Sequence, residues 1–484
     1  MTPDEIRAAY ARDASREVAH RVVDLAVDFL ESAARGDGPV STALSPEAIA
    51  ARFAEPAPAT ALPLDEVLVR VQRDILGDAN RLSHPMYLGH QVSAPLPLGA
   101  WVDAIAASLN NSQAVNEMSP TLSHVERRVV RWMCDAVGWG DEAGGTFTSG
   151  GTEASFTAMI AARAHIMPDA WVNGVGGDPP VIVCGEHTHY AVSRTAGQLG
   201  LGVRQVLTVP SDGFAISVPA LRETLAQCRD RGRRVMAVVA TSGQTATGTF
   251  DDLEGVADAC QAFGAWFHVD GAHGASALLS ERHRFRLAGI HRAHSVAWDP
   301  HKMMLLPISA GAVLVRDARW LDAAYAQKAP YLFQEEAINW NIGPRSFQCS
   351  RRGDVLKVWV AWQRYGTRGF AAMYDLLCDL TCTLYDLLVA HPRFEVLHEP
   401  QCNILCFRWT GPATTTTAAE IDRLNAVVRE RYNQSGAGWI TSTMLDGRPV
   451  LRVTIQNPRT TPEHLTRLVA GLDHVASQVL AESP

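Results

Sequence analysis

The segment from Trp266 to Lys302, WFHVDGAHGASALLSERHRFRLAGIHRAHSVAWDPHK, contains two short apolar runs that are each followed by polar residues. The run Trp266–Val269 is followed by Asp270–His273, and the run Ser295–Trp298 is followed by Asp299–Lys302. Runs of this length, rich in aromatic, β-branched and other apolar residues, are typical of buried strands. The pattern therefore predicts two buried strands whose carboxyl ends carry charged side chains.

Other apolar runs of the same kind lie around this segment and alternate with stretches of helical periodicity. They are Val181–Cys184, Val203–Val209, Val235–Ala240 and Gly311–Val315. Such alternation predicts an α/β fold with a mostly parallel central sheet that is flanked by helices. Ligands on these sheets bind beyond the carboxyl ends of the strands. The polar clusters His187–His189 and Thr241–Thr245 are therefore predicted to converge with Asp270–His273 and Asp299–Lys302.

The rest of the chain predicts three parts: a helical arm at residues 1–83 that packs on a partner, a large domain at 84–365 that holds the sheet, and a small C-terminal α+β domain at 366–484. In the last part the sequence predicts strands at Asn403–Trp409 and Pro449–Ile455 and a final helix from Pro462.

The composition of the 484 residues, with 47% hydrophobic and 19% charged residues, is that of an ordinary globular protein. A net charge of −8 provides no excess of cations for a nucleic-acid backbone, so no nucleic-acid partner is expected. The N-terminal residues lack the order of a signal peptide, and the apolar stretch Met303–Val315 is too short to cross a bilayer. No membrane partner is expected.

Nine scattered cysteines, an odd number, favour a reducing compartment and hence the cytoplasm over a disulfide framework. The pairs Cys378/Cys382 and Cys402/Cys406 are interpreted as core thiols because they lack the ligand spacing of zinc sites. No metal is expected.

The turn Ser149-Gly150-Gly151-Thr152 precedes the helical run Ala154–Ala164. The free N–H groups and the dipole of a helix N-terminus favour an anion such as phosphate. A simple helix cap is the alternative, and the turn lacks the lysine pattern of nucleotide-binding loops.

Two charged residues stand next to apolar runs. Asp270 would lose hydration at the end of its strand, so we expect either a cationic partner or a helix-capping role. The apolar neighbours of Lys302 favour a neutral amine that can act as a nucleophile, although a lysine that extends along apolar surface to water is the alternative.

His187 and His189 share one face of an extended segment; they could bind a metal, or an imidazole could stack on a flat ring.

Several segments together resemble group II pyridoxal-phosphate-dependent amino-acid decarboxylases, which have the aspartate-aminotransferase-like fold type I. The resemblance rests on the glycine turn, His189, Asp270 and Asp-Pro-His-Lys at 299–302, in that order. Ser295–Met303, Tyr331–Gln334 and Phe347–Arg352 look most like the glutamate and cysteine-sulfinate decarboxylases of this family. The similarity extends from about His84 to beyond Arg452.

The resemblance implies a role for each of these residues. Lys302 is similar to the lysine that binds pyridoxal 5'-phosphate covalently, and Asp270 to the aspartate that pairs with its ring nitrogen. His189 would stack over the ring and Ala272 beneath it. The resemblance further implies these cofactor-binding residues: Ser149, Gly150, Gly151, Thr152, Thr245, Asp299, His301 and, from a partner subunit, Ser350. Most members have asparagine where this chain has Asp299, and a carboxylate beside a phosphate needs a proton or an intervening donor.

Three further positions concern the substrate. Tyr331 resembles the tyrosine of a mobile loop that returns a proton to Cα and so favours release of the amine. Arg452 resembles the arginine that binds the substrate carboxylate, with a structural strand arginine as the alternative. Gln91 and Ser93 stand where the family lines the side-chain pocket, although His90 departs from the pattern of glutamate decarboxylases.

The implied activity is decarboxylation of an L-amino acid to an amine and carbon dioxide by a homodimer with the active site at its interface. A small acidic substrate such as glutamate, aspartate or a sulfinate is favoured. An aliphatic, diamino or aromatic substrate is an alternative, because changes in a pocket alter preference by only about 1–3 kcal/mol. Transamination or decarboxylative oxidative deamination on the same cofactor is a second hypothesis. A non-enzymatic relative is a third, against which the four residues Lys302, Asp270, His189 and Tyr331 argue.

Overall fold

The structure, a computed structural model, describes residues 2–42, 44–325, 340–412 and 417–482. The helices are α1 (Pro3–Asp13), α2 (Arg16–Arg35), α3 (Pro46–Arg52), α4 (Leu64–Arg70), α5 (Pro97–Leu109), α6 (Pro120–Val137), α7 (Gly151–Ile166), α8 (Ala170–Asn173), α9 (Ala191–Gln198), α10 (Val218–Asp230), α11 (Leu253–Phe263), α12 (Arg319–Ala324), α13 (Val355–Val389, with a non-helical residue at Gly366), α14 (Ala418–Gln434) and α15 (Pro462–Ala481). The strands are β1 (Gly144–Thr148), β2 (Val181–Gly185), β3 (Val206–Val209), β4 (Ser211–Asp212), β5 (Ala215–Ile216), β6 (Val235–Thr241), β7 (Trp266–Asp270), β8 (Ser295–Trp298), β9 (Gly311–Val315), β10 (Phe394–Val396), β11 (Ile404–Trp409), β12 (Thr441–Leu445) and β13 (Arg448–Thr454).

The central sheet has seven strands in the order β1-β9-β8-β7-β6-β2-β3. The pairs β8/β7, β7/β6, β6/β2 and β2/β3 are parallel, whereas β9 is antiparallel to both of its neighbours. This arrangement confirms the predicted α/β fold with a mostly parallel sheet. The direction of β9 was not predictable, because an apolar run does not reveal which way its strand points.

The strands read as continuous apolar runs because both faces of the sheet are covered. Every residue of β2, β7, β8 and β9 is buried. Helix α7 packs against β8 and β9 on one face, where small residues let the helix approach closely. Residues of the core cluster on this face include Ala158, Ala161, Ile182, Met236, Trp266, Ala297, Val313 and Leu321.

The predicted boundaries differ from the structure mainly at turns. Val203–Gln205 is a 3₁₀ turn, so β3 begins only at Val206. Helix α7 begins at Gly151, before the predicted Ala154, because the glycine turn itself forms its first turn. Strand β1 was missed: Gly144 and Gly145 weaken its strand signal.

A second sheet has the order β10-β11-β13-β12, and the pairs β10/β11 and β12/β13 are antiparallel. Its strands β11 and β13, together with α15, confirm the α+β character predicted for the C-terminal part.

The chain divides into two compact units. The first unit comprises residues 1–90, 386–397 and 407–484, and the second comprises 91–385 and 398–406. In the first unit, the N-terminal segment is bound to the C-terminal part of the chain: the N–H of Leu88 donates to the carbonyl of Trp439 (2.8 Å). The predicted three-part division by sequence position stays a prediction. No helix within the described ranges combines the length and the apolar character needed to cross a membrane.

Candidate active site

The candidate active site is a cavity of about 370 Å³ inside the second unit. It lies at the carboxyl ends of β6, β7 and β8 and beside the N-terminus of α7. The residues that line it are Ser149, Gly150, Gly151, Thr152, His189, Tyr190, Thr241, Gly243, Thr245, Asp270, Ala272, His273, Asp299, His301, Lys302 and Ile308. The structure thus brings the glycine turn and the four polar clusters of the sequence together.

Lys302 lies in a tight loop directly after β8. Its N–H donates to the carbonyl of Asp299 (2.9 Å), and the N–H of His301 donates to Ala310 (3.1 Å). The Nζ atom lies 3.5 Å from Oδ2 of Asp299, and about a fifth of the side chain is exposed. The amine is therefore held near a carboxylate but remains accessible from the cavity.

Asp299 is almost fully buried and connects this loop to α7. Its Oδ2 atom accepts the N–H of Gly151 (2.9 Å) and lies 3.4 Å from Nε2 of His301. Within the described part of the chain Oδ1 has no hydrogen-bond partner. The carboxylate of Asp299 thus already accepts one of the N–H groups at the N-terminus of α7 that the sequence predicts to bind an anion.

His301 is held in one tautomer. Its Nδ1 atom accepts the N–H of Ala310 (3.0 Å), so the proton of the neutral ring is on Nε2, which faces Asp299. Burial lowers the pKa of His301, and Asp299 opposes this shift only in part. His301 is therefore a neutral donor at this end of the cavity.

The glycine turn fits closely between its neighbours. A Cβ atom on Gly151 would lie 2.7 Å from the Cβ of Ala272 and 3.0 Å from Oδ2 of Asp299, so a side chain does not fit there. Glu153 accepts hydrogen bonds from the N–H (3.0 Å) and the hydroxyl (2.6 Å) of Ser149. The capping alternative is thus realised, by Glu153 and Asp299, beside the cavity that an anion would enter.

Asp270 ends β7 and is 8% exposed. Its Oδ1 atom accepts the N–H of Ala272 (3.2 Å). Among the residues that the structure describes, no cationic side chain lies within ion-pair distance of Asp270. His268, two residues earlier on the strand, is bound by Ser295 (2.8 Å), and burial lowers its pKa to about 4, so it is neutral. The expected cationic partner is therefore not one of these side chains.

His189 lines the cavity, whereas His187 packs against Phe214 with ring centroids 5.6 Å apart. Nδ1 of His189 accepts the N–H of Ala191 (3.3 Å), and burial lowers the pKa of His189. The ring of His189 is therefore neutral and carries its proton on Nε2. In the described ranges no three His, Cys, Asp or Glu side chains form a group that could hold a metal.

The loop with the predicted substrate residues Gln91 and Ser93 runs along the lysine loop. The hydroxyl of Ser93 donates to the carbonyl of His301 (3.3 Å), and the N–H of Leu96 donates to Leu305 (2.7 Å). Neither Gln91 nor Ser93 lines the cavity itself. Nε2 of Gln91 is buried and has no partner within the residues described.

The structure describes the surroundings of two of the three remaining predicted residues. Arg452 is buried on β13 in the first unit and donates from Nη1 to Oγ1 of Thr441 (3.4 Å). Ser350 is exposed and does not line the cavity. Tyr331 is outside the described residues. The roles of these three stay predictions.

Five residues that line the cavity were not predicted individually. Thr241, Gly243 and His273 belong to polar clusters that the sequence places at strand ends, and Tyr190 adjoins His189, so their position was a usable signal. Ile308 lies in an apolar stretch and offered none. Its place depends on the path of the loop after Lys302, which periodicity does not reveal.

The chain shares extended similarity with known proteins. A family profile described as the pyridoxal-dependent decarboxylase conserved domain matches residues 46–410. The chain is 33% identical to the acidic amino acid decarboxylase GADL1 of Homo sapiens over 425 residues, 84% of this chain and 80% of that protein. It is 27% identical to an aromatic-L-amino-acid decarboxylase of Bacillus atrophaeus over 473 residues, 97% of each. The structure of mouse CSAD in apo form superposes with a TM-score of 0.89, at 27% identity, covering 95% of this chain and 99% of that chain.

Proposed function

The chain belongs to the pyridoxal-dependent decarboxylase family, and we propose that the cavity around Lys302 is its active site and that its substrate has an acidic side chain. As a member of this family the protein is an amino-acid decarboxylase that uses pyridoxal phosphate and releases carbon dioxide and an amine. One observation carries the assignment of the site: the amine of Lys302, the carboxylate of Asp270 and the N-terminus of α7 all meet in one cavity.

The residues present fit pyridoxal phosphate. Lys302 offers an accessible amine for the aldehyde. Asp270 is a buried carboxylate without a cationic partner among the described side chains, and a protonated ring nitrogen would provide that cation. Gly150 and Gly151 keep the end of α7 open on the cavity side, where backbone N–H groups and His301 would hold a phosphate.

When it is bound, the cofactor supplies an electron sink for the bond that breaks at the substrate carboxylate. The chain's own residues supply the rest. Lys302 would hold the cofactor through its Nζ atom and would give it up to the amino group of the substrate. Asp270 would keep a proton on the ring nitrogen, and neutral His189, with its proton on Nε2, is placed to donate a hydrogen bond or a proton in the cavity.

Support for an acidic substrate comes from the similarity to the human acidic amino acid decarboxylase and from the segments that resemble glutamate and cysteine-sulfinate decarboxylases. We expect the holoenzyme to release carbon dioxide from glutamate, aspartate or cysteine sulfinate with a kcat/KM at least about 10²-fold above that for the uncharged isosteres glutamine and asparagine. Glutamate and glutamine, like aspartate and asparagine, have nearly the same shape, so these two comparisons isolate the charge and the hydrogen bonding of the side chain. Faster release of carbon dioxide from phenylalanine, tryptophan or 2,4-diaminobutyrate would contradict the proposed substrate class but not the assignment of the protein as a decarboxylase.

Tyr331 is proposed as the acid that protonates Cα after carbon dioxide leaves. We expect Tyr331→Phe to bind the cofactor normally but to divert product from the amine towards the aldehyde, because other reactions of the decarboxylated substrate compete better when protonation of Cα slows. Chromatography of the products measures this ratio. An amine yield equal to that of the wild-type enzyme would remove Tyr331 from the mechanism.

We further propose a homodimer in which Ser350 reaches the partner's site, and a cytoplasmic location. The N-terminal helices expose apolar side chains, among them Ile6 (55%) and Tyr10 (78%), which favours burial against a second copy. All nine cysteines are free thiols, as is usual in a reducing compartment.

A further inference from the structure

Asp299 places a buried carboxyl group where the phosphate of the cofactor would bind. Its side chain is 1% exposed, and Oδ2 accepts the N–H of Gly151 at the start of α7 (2.9 Å). The turn formed by Gly150 and Gly151 lines the same cavity. A phosphate monoester carries a charge of about −1.5 to −2 at neutral pH, so it would lie beside a carboxylate that is shielded from water. Two such anions in contact require a compensating proton.

The neighbouring cations do not provide this compensation. The Nζ atom of Lys302 lies 3.5 Å from Oδ2 of Asp299, but this amine is the one that binds the cofactor. The charge of Lys357 contributes to the lowered pKa of His301, but its ammonium group is already bound by Asp103 (3.1 Å) and Asp354 (3.2 Å).

The imidazoles do not provide it either. Nδ1 of His301 already accepts the N–H of Ala310 (3.0 Å), so a second proton on this ring would break that hydrogen bond. Nδ1 of His189 accepts the N–H of Ala191 in the same way (3.3 Å). His273, a third imidazole of the lining, is hydrogen-bonded through Nε2 to Oδ1 of Asn403 (2.7 Å). Among the described residues, the acids near this region besides Asp299 include Asp270, at the other strand end, and Glu153, which is engaged with Ser149.

We propose that Asp299 takes up one proton from solvent when the phosphate group of the cofactor binds, so that a single proton lies between the carboxyl group and the phosphate. The proposal rests on the active site assigned above. It makes Asp299 a phosphate-positioning residue that acts as a hydrogen-bond donor in the loaded enzyme, although it is an acceptor in the structure described. An asparagine at this position would donate the same hydrogen bond without any proton uptake.

Calorimetry can count this proton. Apoenzyme is titrated with pyridoxal phosphate at about pH 8, where the phosphate is a dianion, in two buffers with different enthalpies of ionisation. We expect the wild-type enzyme to take up about one proton more per site than Asp299→Asn, because every other contribution, including that of Lys302, is common to both. Glu153→Gln, which neutralises the other carboxylate at the start of α7, should match the wild-type count.

A second measurement covers the case in which Asp299→Asn does not fold. Ethyl phosphate is a phosphate monoester with no aldehyde, amine or ring nitrogen, and its affinity for the Lys302→Ala protein, with or without Glu153→Gln, should fall by up to about tenfold per pH unit above pH 8. An affinity independent of pH, or equal proton counts in wild type and Asp299→Asn, would overturn the proposal. Peptide mapping after borohydride reduction decides separately whether the cofactor is on Lys302; a cofactor attached elsewhere would overturn the active site as well.

Discussion

Lys302→Ala is expected to abolish decarboxylation, with a fall in kcat/KM of at least about 10⁴-fold. The expected size follows from the loss of a covalent attachment, since removal of a catalytic nucleophile costs about 10⁶-fold in well-studied enzymes and the binding contacts leave some residual rate. The variant should also lose the absorbance near the visible edge that reports the lysine-bound cofactor. It should fold normally, because the Lys302 side chain is partly exposed and lines a cavity instead of filling the core.

The low lysine content of the chain makes this prediction sharp. The sequence has three lysines, Lys302, Lys328 and Lys357. Lys357 is fully buried between Asp103 and Asp354, so its amine is not available to an aldehyde. After reduction with borohydride, mass spectrometry should find the cofactor on the peptide that contains Lys302, in the wild-type enzyme and in the control variant Lys328→Ala. An adduct that persists in Lys302→Ala would assign the chemistry to another amine.

The central fold was predictable because strands that are buried on both faces appear in a single sequence as continuous apolar runs. The predicted run Ser295–Trp298 coincides with β8 residue for residue, and the run Trp266–Val269 lies within β7, which ends one residue later at Asp270. Each is followed at once by a polar cluster, and the rule that parallel strands present their carboxyl ends at one edge was enough to bring those clusters together. Strand β1 was missed because its two glycines resemble a loop.

The contacts inside the site were less predictable, because they depend on which polar atoms share a hydrogen bond. The sequence showed a glycine turn suited to an anion and an acid at position 299, but not that the acid itself binds the turn. That contact requires β8, β7 and α7 to meet, and it joins residues 148 positions apart. The sequence predicted a cationic partner or a capping role for Asp270 but did not show which; among the described residues its Oδ1 atom accepts the N–H of Ala272 and no cationic side chain lies within ion-pair distance.

Asp270→Asn is expected to lower kcat by about 10²- to 10³-fold while leaving the cofactor attached to Lys302. Removal of a preorganised charge from a site shielded from water typically has an effect of this size. The amide side chain introduced by this substitution is nearly isosteric with the carboxylate, so the hydrogen bond from the N–H of Ala272 to the side chain can remain. His268, two residues earlier on β7, is neutral and does not replace the lost charge, so the ring nitrogen of the cofactor would lose its proton.

A cofactor methylated at the ring nitrogen separates this electrostatic role from a structural one. Its nitrogen carries a permanent positive charge, so reconstitution of a second variant, Asp270→Ala, whose short side chain leaves room for the methyl group, should recover a large part of the kcat that this variant loses. The methyl group would crowd the carboxylate of the wild-type enzyme, so the same analogue should lower kcat there. If Asp270 were only a cap for Ala272, the variant would instead lose thermal stability, and the methylated cofactor would restore nothing. Recovery in the variant but not in the wild type therefore identifies Asp270 as the counter-ion that makes the ring an electron sink.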